Sequence, residues 1–410
     1  MISVDTALNT ILQSIQAVSL ETLPLSQCLH RVLAETVIST VNVPSFANSA
    51  MDGYAIIAAD SQTSHPLRLK IIANIPAGVA PTQTIRPGTA ARIMTGAPMP
   101  MGADAVIRFE DTSEYIPTPD AATDEVWLYQ AVSAGDNVRL AGEDIQAGQV
   151  ILAAGHELRP QDIGVLAAIG QANVTVYRRP RVAILATGDE LVDLTEAIAP
   201  GKIRNSNEYT QAALVQKYGG EPLMLGIARD TVADLTAKIR AGLAQQVDLF
   251  LTSAGVSVGD FDVVKDVLAA EGEMQFWQVA IKPGKPLAFG LLQGTVPLIG
   301  LPGNPVAAMV AFEIFVRPAI LKLRGLLNWD KPMVWAQLDE EITNSGRRHY
   351  MRASVWQEAN GYHVTTRSSS VRVQGSAILT SLVWANGLVV VPETVTYLPP
   401  GSMVQVWLLD

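Results

Sequence analysis

From residue 181 to about 326 the chain alternates short apolar runs with helical patterns, and few folds accommodate that alternation. Apolar runs at 182–185, 222–227, 247–252, 275–280, 287–291 and 296–300 read as strands. Between several of them, apolar residues recur at helical spacing: Leu214, Val215 and Tyr218 in one helix, Val267 and Leu268 in another. Start and stop signals agree with this reading. Asn205 and Glu208 have capping-box spacing, Gly219-Gly220 stops the helix that follows, and Thr231 opens one reaching about residue 244. Asn304-Pro305 is an N-cap followed by proline at the first helical position. Strands separated by helices imply parallel βαβ units. In such sheets, ligands bind just beyond the carboxyl ends of the strands.

The flanks differ in character. Residues 1–18 carry Leu8, Ile11, Leu12 and Ile15 at helical spacing, and 19–40 read as a second helix or turn with an extended stretch. Residues 41–150 scatter nine prolines among short β-like runs such as 105–109 and 126–129. A short helix is expected over 161–169. The tail reads as strands at 350–356, 362–367, 387–391 and 403–408.

Charge and cysteine count narrow the function classes. The net charge of −10, from 29 basic and 39 acidic residues, opposes nonspecific binding of nucleic acid, which requires phosphates to be neutralised. Cys28 is the single cysteine, so neither an intrachain disulfide nor a cysteine zinc site is expected. The N-terminus lacks the basic start of a signal peptide. No apolar run approaches the roughly 18 residues of a membrane span. A cytoplasmic protein without a membrane partner is the expectation.

Four segments at strand ends carry candidate chemistry. Thr187-Gly188-Asp189-Glu190 offers two carboxylates suited to magnesium, or to capping and surface charge. Residues 253–262, SAGVSVGDFD, contain small residues whose amides can converge on an anion; loop economy is the alternative. Asp260 can cap a helix, which leaves Asp262 as the better chemical candidate. Ile281-Lys282-Pro283-Gly284-Lys285-Pro286 sets two lysines on a stiff turn, as an oxyanion clamp or a solvated loop. Leu301-Pro302-Gly303-Asn304-Pro305 feeds a helix start. In the N-terminal third, Asp52 and Thr95 sit beside glycines, and Arg139 with Asp144 could form an ion pair. The five histidines, His349 among them, show no metal-ligand spacing, and no serine has a sequence-evident catalytic base.

Taken together, these segments resemble the MoeA family of molybdopterin molybdenumtransferases, which includes the E domains of gephyrin and plant Cnx1. The matching motifs are PSFANSAMDGYAI (44–56), RIMTGAPMPMGADAVI (92–107), GEDI (142–145), TGDEL (187–191), TSAGVSVGDFD (252–262), IKPGKPLAFG (281–290) and GLPGNPV (300–306). SGRRHYMRA (345–353) and QGSAILTSL (374–382) extend the match into the tail.

The resemblance implies a multidomain α/β plus β protein. Residues 1–177 would form an N-terminal region, with a helical and linker part at about 1–43 and 146–177 and a β-rich lid at about 44–145. Residues 178–327 would be a three-layer α/β molybdopterin-binding domain with a parallel-rich sheet. Residues 328–410 would be a β-barrel-like domain. The implied reaction takes adenylylated molybdopterin and molybdate, releases AMP with magnesium, and leaves molybdenum on the dithiolene. Asp52, Thr95, Asp144, Glu190 and Asp262 would be catalytic, with Glu190 and Asp262 the magnesium ligands. Arg139, Asp230, Ser253, Gly255, Ser257, Lys282, Lys285, Pro302, Pro305 and Ser376 would bind substrate. The resemblance further implies a homodimer in which the lid of one subunit covers the α/β domain of the other. A molybdopterin adenylyltransferase and molybdoenzyme maturation proteins are the expected partners. A non-catalytic molybdopterin-binding scaffold and an adenylyltransferase are the competing readings.

Overall fold

A computed structural model describes residues 1–116, 122–253, 263–367 and 374–409. Gly255, Ser257 and Asp262 lie outside the described residues, as does Asp260.

The alternating segment forms a six-stranded sheet in the order Glu221–Ala228, Arg181–Thr187, Leu249–Ser253, Val296–Leu301, Pro286–Leu292, Gly272–Gln278. The first four strands are parallel. Pro286–Leu292 runs antiparallel to both its neighbours, Val296–Leu301 and Gly272–Gln278, because the links on either side of it are too short for a crossover. Every residue of Leu249–Ser253 is buried, as a strand covered on both faces requires. Val182, Ile184, Leu249 and Leu251 face one core, and Ala183, Leu185 and Phe250 face the other.

Local signals explain the helices around this sheet. Ser206–Lys217 starts where the Asn205 side chain accepts a hydrogen bond from the Glu208 amide, at 3.3 Å. The Thr231 side chain caps Val232–Leu243 by the same device. The N-terminal helix is shorter than its apolar spacing suggests. It covers Val4–Gln13 behind the Ser3 cap, and Ile15 is buried beyond its end. It packs on the α/β domain, where Lys322 Nζ donates to the Leu12 carbonyl at 2.7 Å.

Two chain segments far apart in sequence form the base of the N-terminal region. Leu20–Pro24 pairs antiparallel with Asn173–Tyr177, and of the helix or turn expected with an extended stretch over 19–40 the structure has the turn, a single 3-10 turn at Leu25–Gln27, after this strand. Between them lies the lid, a five-stranded sheet in the order Ala105–Arg108, Gly53–Ile56, Thr89–Ile93, Leu67–Ile75, Glu125–Leu128. Its strands approach closely at Gly53, where an added Cβ would lie 1.9 Å from the Ile107 carbonyl oxygen. Gly53→Ala is therefore expected to destabilise the lid by about 1–3 kcal/mol, since the obstacle is backbone. Faster hydrogen exchange across Gly53–Ile56 and Ala105–Arg108 would register the loss, and wild-type protection would contradict it.

The tail closes into a barrel. Arg348–Glu358, Gly361–Thr365, Met333–Leu338, Met403–Leu408 and Gly387–Val391 pair in sequence, and the last returns to Arg348–Glu358. Its interior holds Ala336, Leu338, Met351, Val364, Val389 and Val406. One further pairing ties the barrel to the α/β domain: Ile281–Lys282 runs parallel to the start of Arg348–Glu358, with Lys282 opposite His349. Among the described residues, no helix is long and apolar enough to cross a membrane.

Candidate functional site

The strand ends, the lysine turn and the tail enclose one cavity of about 900 Å3. Glu190, Ser253, Lys282, Pro302, Pro305 and Ser376 all line it. Each arrives by a different route. Ser253 is buried at the carboxyl end of its strand, and its carbonyl accepts a hydrogen bond from Thr187 Oγ1 at 3.2 Å. Glu190 follows a turn that only glycine can make. Gly188 has φ +140°, and a Cβ there would lie 2.4 Å from Glu190 Oε2. The missing side chain thus makes room for the carboxylate beside the strand end.

The Pro302–Pro305 turn is held from two sides. Asn207 Nδ2 donates to the Gly303 carbonyl at 2.8 Å, from the first turn of Ser206–Lys217. On the other side, the Val306 amide donates to the Ser376 carbonyl at 3.3 Å. Asn304 stands at the cap position of the helix beginning at Pro305, but its side chain makes no cap bond. It reaches Ser376 Oγ instead, at 3.4 Å. The Val306 amide, at the second helical position that a cap would serve, is already given to the Ser376 carbonyl, so the tail caps this helix start in place of Asn304.

Other expected residues stand elsewhere. Lys285 is exposed and does not line the cavity. Asp230 is exposed beside the cavity's rim, where its amide and carboxylate face the carboxylate and amide of Asp189 at 3.4 Å each. The lid residues Asp52, Thr95, Arg139 and Asp144 are all exposed, and none lines this cavity within the chain. Asp52 and Thr95 do meet. Asp52 Oδ1 accepts hydrogen bonds from the Thr95 amide at 2.7 Å and hydroxyl at 2.8 Å. Those bonds hold the Asp52 carboxyl below the usual carboxylate range. Val138–Arg139 pairs with Asn48–Ser49 nearby, and the Gly96 amide donates to the Ser49 carbonyl. The Arg139–Asp144 ion pair suggested by the sequence is not among the ion pairs of the described residues; Asp144 is fixed through its amide to the Val43 carbonyl.

The structure adds residues that spacing alone did not reveal. Asn205, Ser206 and Asn207 line the cavity from the start of a 12-residue helix, whose unpaired amides and dipole favour anions. Arg347, His349 and Gln374 line it from the tail. Arg347 and His349 lie within SGRRHYMRA, so the motif marked the segment although not the individual side chains.

Glu190 offers exposed carboxylate oxygens, and magnesium takes few protein carboxylates alongside phosphate oxygens and water. Among the described residues, no group of three or more His, Cys, Asp or Glu side chains stands together, so any such site would draw ligands from the substrate or from elsewhere in the chain.

Similarity to known proteins covers nearly the whole chain. Residues 2–170 match the model of the MoeA N-terminal region (domain I and II). Residues 183–322 match a probable molybdopterin binding domain, and 336–409 match the MoeA C-terminal region (domain IV). A molybdopterin molybdenumtransferase from Nostoc sp. is 38% identical over 92% of this chain and 86% of its own. Molybdopterin molybdenumtransferase 2 from Mycobacterium tuberculosis is 37% identical over 94% of both chains. The crystal structure of a molybdopterin biosynthesis MoeA protein from Pyrococcus horikoshii superposes with a TM-score of 0.81 at 29% identity, over all of both chains. With three consecutive regional matches, full-length relatives and a shared architecture, this chain belongs to the MoeA family of molybdopterin molybdenumtransferases and to molybdenum cofactor biosynthesis.

Proposed function

We propose that the chain inserts molybdenum: it takes adenylylated molybdopterin and molybdate, releases AMP, and leaves molybdenum on the dithiolene. The observation that carries this reading is the shared cavity. Glu190, Lys282, Pro302, Pro305 and Ser376 come from motifs distant in sequence yet line one space of about 900 Å3. Ligand pockets commonly run to about 300–1,000 Å3, so a nucleotide-sized substrate fits.

The chemistry needs negative charge neutralised as the AMP phosphate leaves. The Lys282 ammonium supplies a fixed positive charge from the cavity wall, and Ser376 supplies a hydroxyl. The amides at the start of Ser206–Lys217 receive phosphate or molybdate oxygens. Glu190 and Asp262 would hold magnesium, which lowers the repulsion among phosphate oxygens when bound.

The lid residues complete the site from a second copy of the chain. Asp52, Thr95, Arg139 and Asp144 present their side chains outward, as donation to a partner subunit requires. A molybdopterin adenylyltransferase would deliver the substrate and molybdoenzyme maturation proteins would receive the product, all in the cytoplasm.

Incubating the purified chain with adenylylated molybdopterin, molybdate and magnesium tests this reading. AMP release together with active cofactor supports insertion. Tight binding without AMP would indicate a scaffold, and adenylylation of molybdopterin from ATP would indicate the adenylyltransferase. Glu190→Gln is expected to slow AMP release about 10- to 100-fold by weakening magnesium binding, with partial recovery at high magnesium. A wild-type rate and magnesium requirement would remove Glu190 from the metal site.

A further inference from the structure

His349 is 3% exposed, yet it lines the cavity, and its Nδ1 has no hydrogen-bond partner among the described residues. Buried histidines usually give that nitrogen to a carbonyl or a carboxylate. His349 instead stands among cations. Lys282 lies opposite it on the adjacent strand, Arg352 follows on its own strand, and Arg347 stands just ahead of that strand. On the other side, Gly387–Val391 carries no titratable residue. Segment 374–379, which forms the next part of the wall, has none either. Burial and these three positive charges push the His349 imidazole down to about 3, so the protein's own groups hold the ring neutral.

An arriving oxyanion reverses that balance. Its negative charge opposes Lys282, Arg347 and Arg352, and its oxygens offer the acceptors that the ring lacks. We propose that His349 is a proton-linked contact of this cavity: a tetrahedral oxyanion bound beside Lys282, Arg347 and Ser376 enters together with one proton, which His349 and the anion share as a hydrogen bond. The proton comes from solvent and returns to it when the anion leaves. No covalent bond forms or breaks. This inference rests on the reading of the cavity as an oxyanion site and assigns its pH dependence to one residue.

The sign follows from linkage. Binding that takes up a proton weakens as pH rises, by up to about tenfold per pH unit for one proton. Burial pushes the Arg352 guanidinium down to about 10, still above this range, so it adds no slope between pH 6 and 8. Calorimetric titration of the full-length chain with molybdate, and separately with sulfate, at pH 6, 7 and 8 measures this. Repeating each titration in two buffers of different ionisation heat counts the protons directly and needs no variant. Sulfate carries no proton of its own in this range, so uptake with sulfate assigns the proton to the protein.

The expected result is uptake approaching one proton with both anions, and affinity falling with pH. In His349→Gln, verified as folded by circular dichroism, uptake should vanish and affinity should become flat with pH. Zero uptake by the wild-type chain with a flat affinity would overturn the role of His349 while leaving the oxyanion site standing. Undiminished uptake in His349→Gln would overturn it equally. Failure of both anions to bind would overturn this inference and the oxyanion reading of the cavity together. AMP release from adenylylated molybdopterin then tests separately whether the insertion reaction survives.

Discussion

Lys331→Ala is expected to destabilise the protein by about 3–5 kcal/mol, the cost of leaving a buried charge without its partner. Lys331 Nζ donates to Glu313 Oε2 at 2.6 Å and to Tyr218 Oη at 3.0 Å. Tyr218 Oη in turn donates to the Glu313 carboxylate, with its two oxygens at 2.8 and 2.9 Å. The Lys331 and Glu313 side chains are only 5% and 1% exposed, so water cannot replace the lost ammonium. Burial already lowers the Lys331 pKa, against the opposing pull of Glu313. Glu313 belongs to a π-helical turn, Phe312–Val316, between two α-helical stretches. Urea denaturation followed by tryptophan fluorescence should show the loss. The double change Lys331→Met with Glu313→Leu should recover most of it, because paired apolar replacements remove both desolvation costs. A single-variant loss below about 1 kcal/mol would mean that the pair is solvated in solution.

Lys282→Ala should leave folding intact and lower AMP release about 100- to 1,000-fold, the range for removing a group that stabilises developing charge in a closed site. Lys282 is half-buried on the cavity wall, and its backbone is fixed by pairing with the barrel. Lys285→Ala should have an effect at least about tenfold smaller, since Lys285 is exposed and off the cavity. Steady-state assays of both variants with saturating molybdate separate them. Equal losses would mean that the clamp uses both lysines, as the spacing of the motif first suggests.

The parts legible in the sequence were those governed by local rules or by burial on both faces. The strands around 182–187, 249–253 and 296–301 announce themselves because nearly every residue in them is apolar or small and buried. Thr231 and Asn205 mark helix starts because capping is a three-residue interaction. Features that depend on distant pairing were not legible. Met333–Leu338 completes the barrel with regular inside-outside alternation, yet its exposed positions include Met333 and Trp335, which blur the apolar-polar pattern of the sequence. Leu67–Ile75 is the longest strand of the lid, but most of its residues are only half-buried or exposed. His349 shows no ligand-like spacing to any other histidine, because its neighbour Lys282 is brought to it by strand pairing across some sixty-seven residues of chain. The two lysines of the Pro-Gly turn look equivalent in sequence; the turn gives the cavity only one of them.

The short parallel bridge between Ile281–Lys282 and Arg348–His349 has a practical corollary. Among the described residues the lysine strand takes its strand pairing from the barrel, and Arg347, His349, Gln374 and Ser376 line the cavity from the tail. A protein engineer trimming this chain to its α/β domain would keep the sheet and discard the wall of the cavity that the tail supplies. The smallest working version must therefore retain the tail, even though most of the signature acids and lysines lie upstream of it.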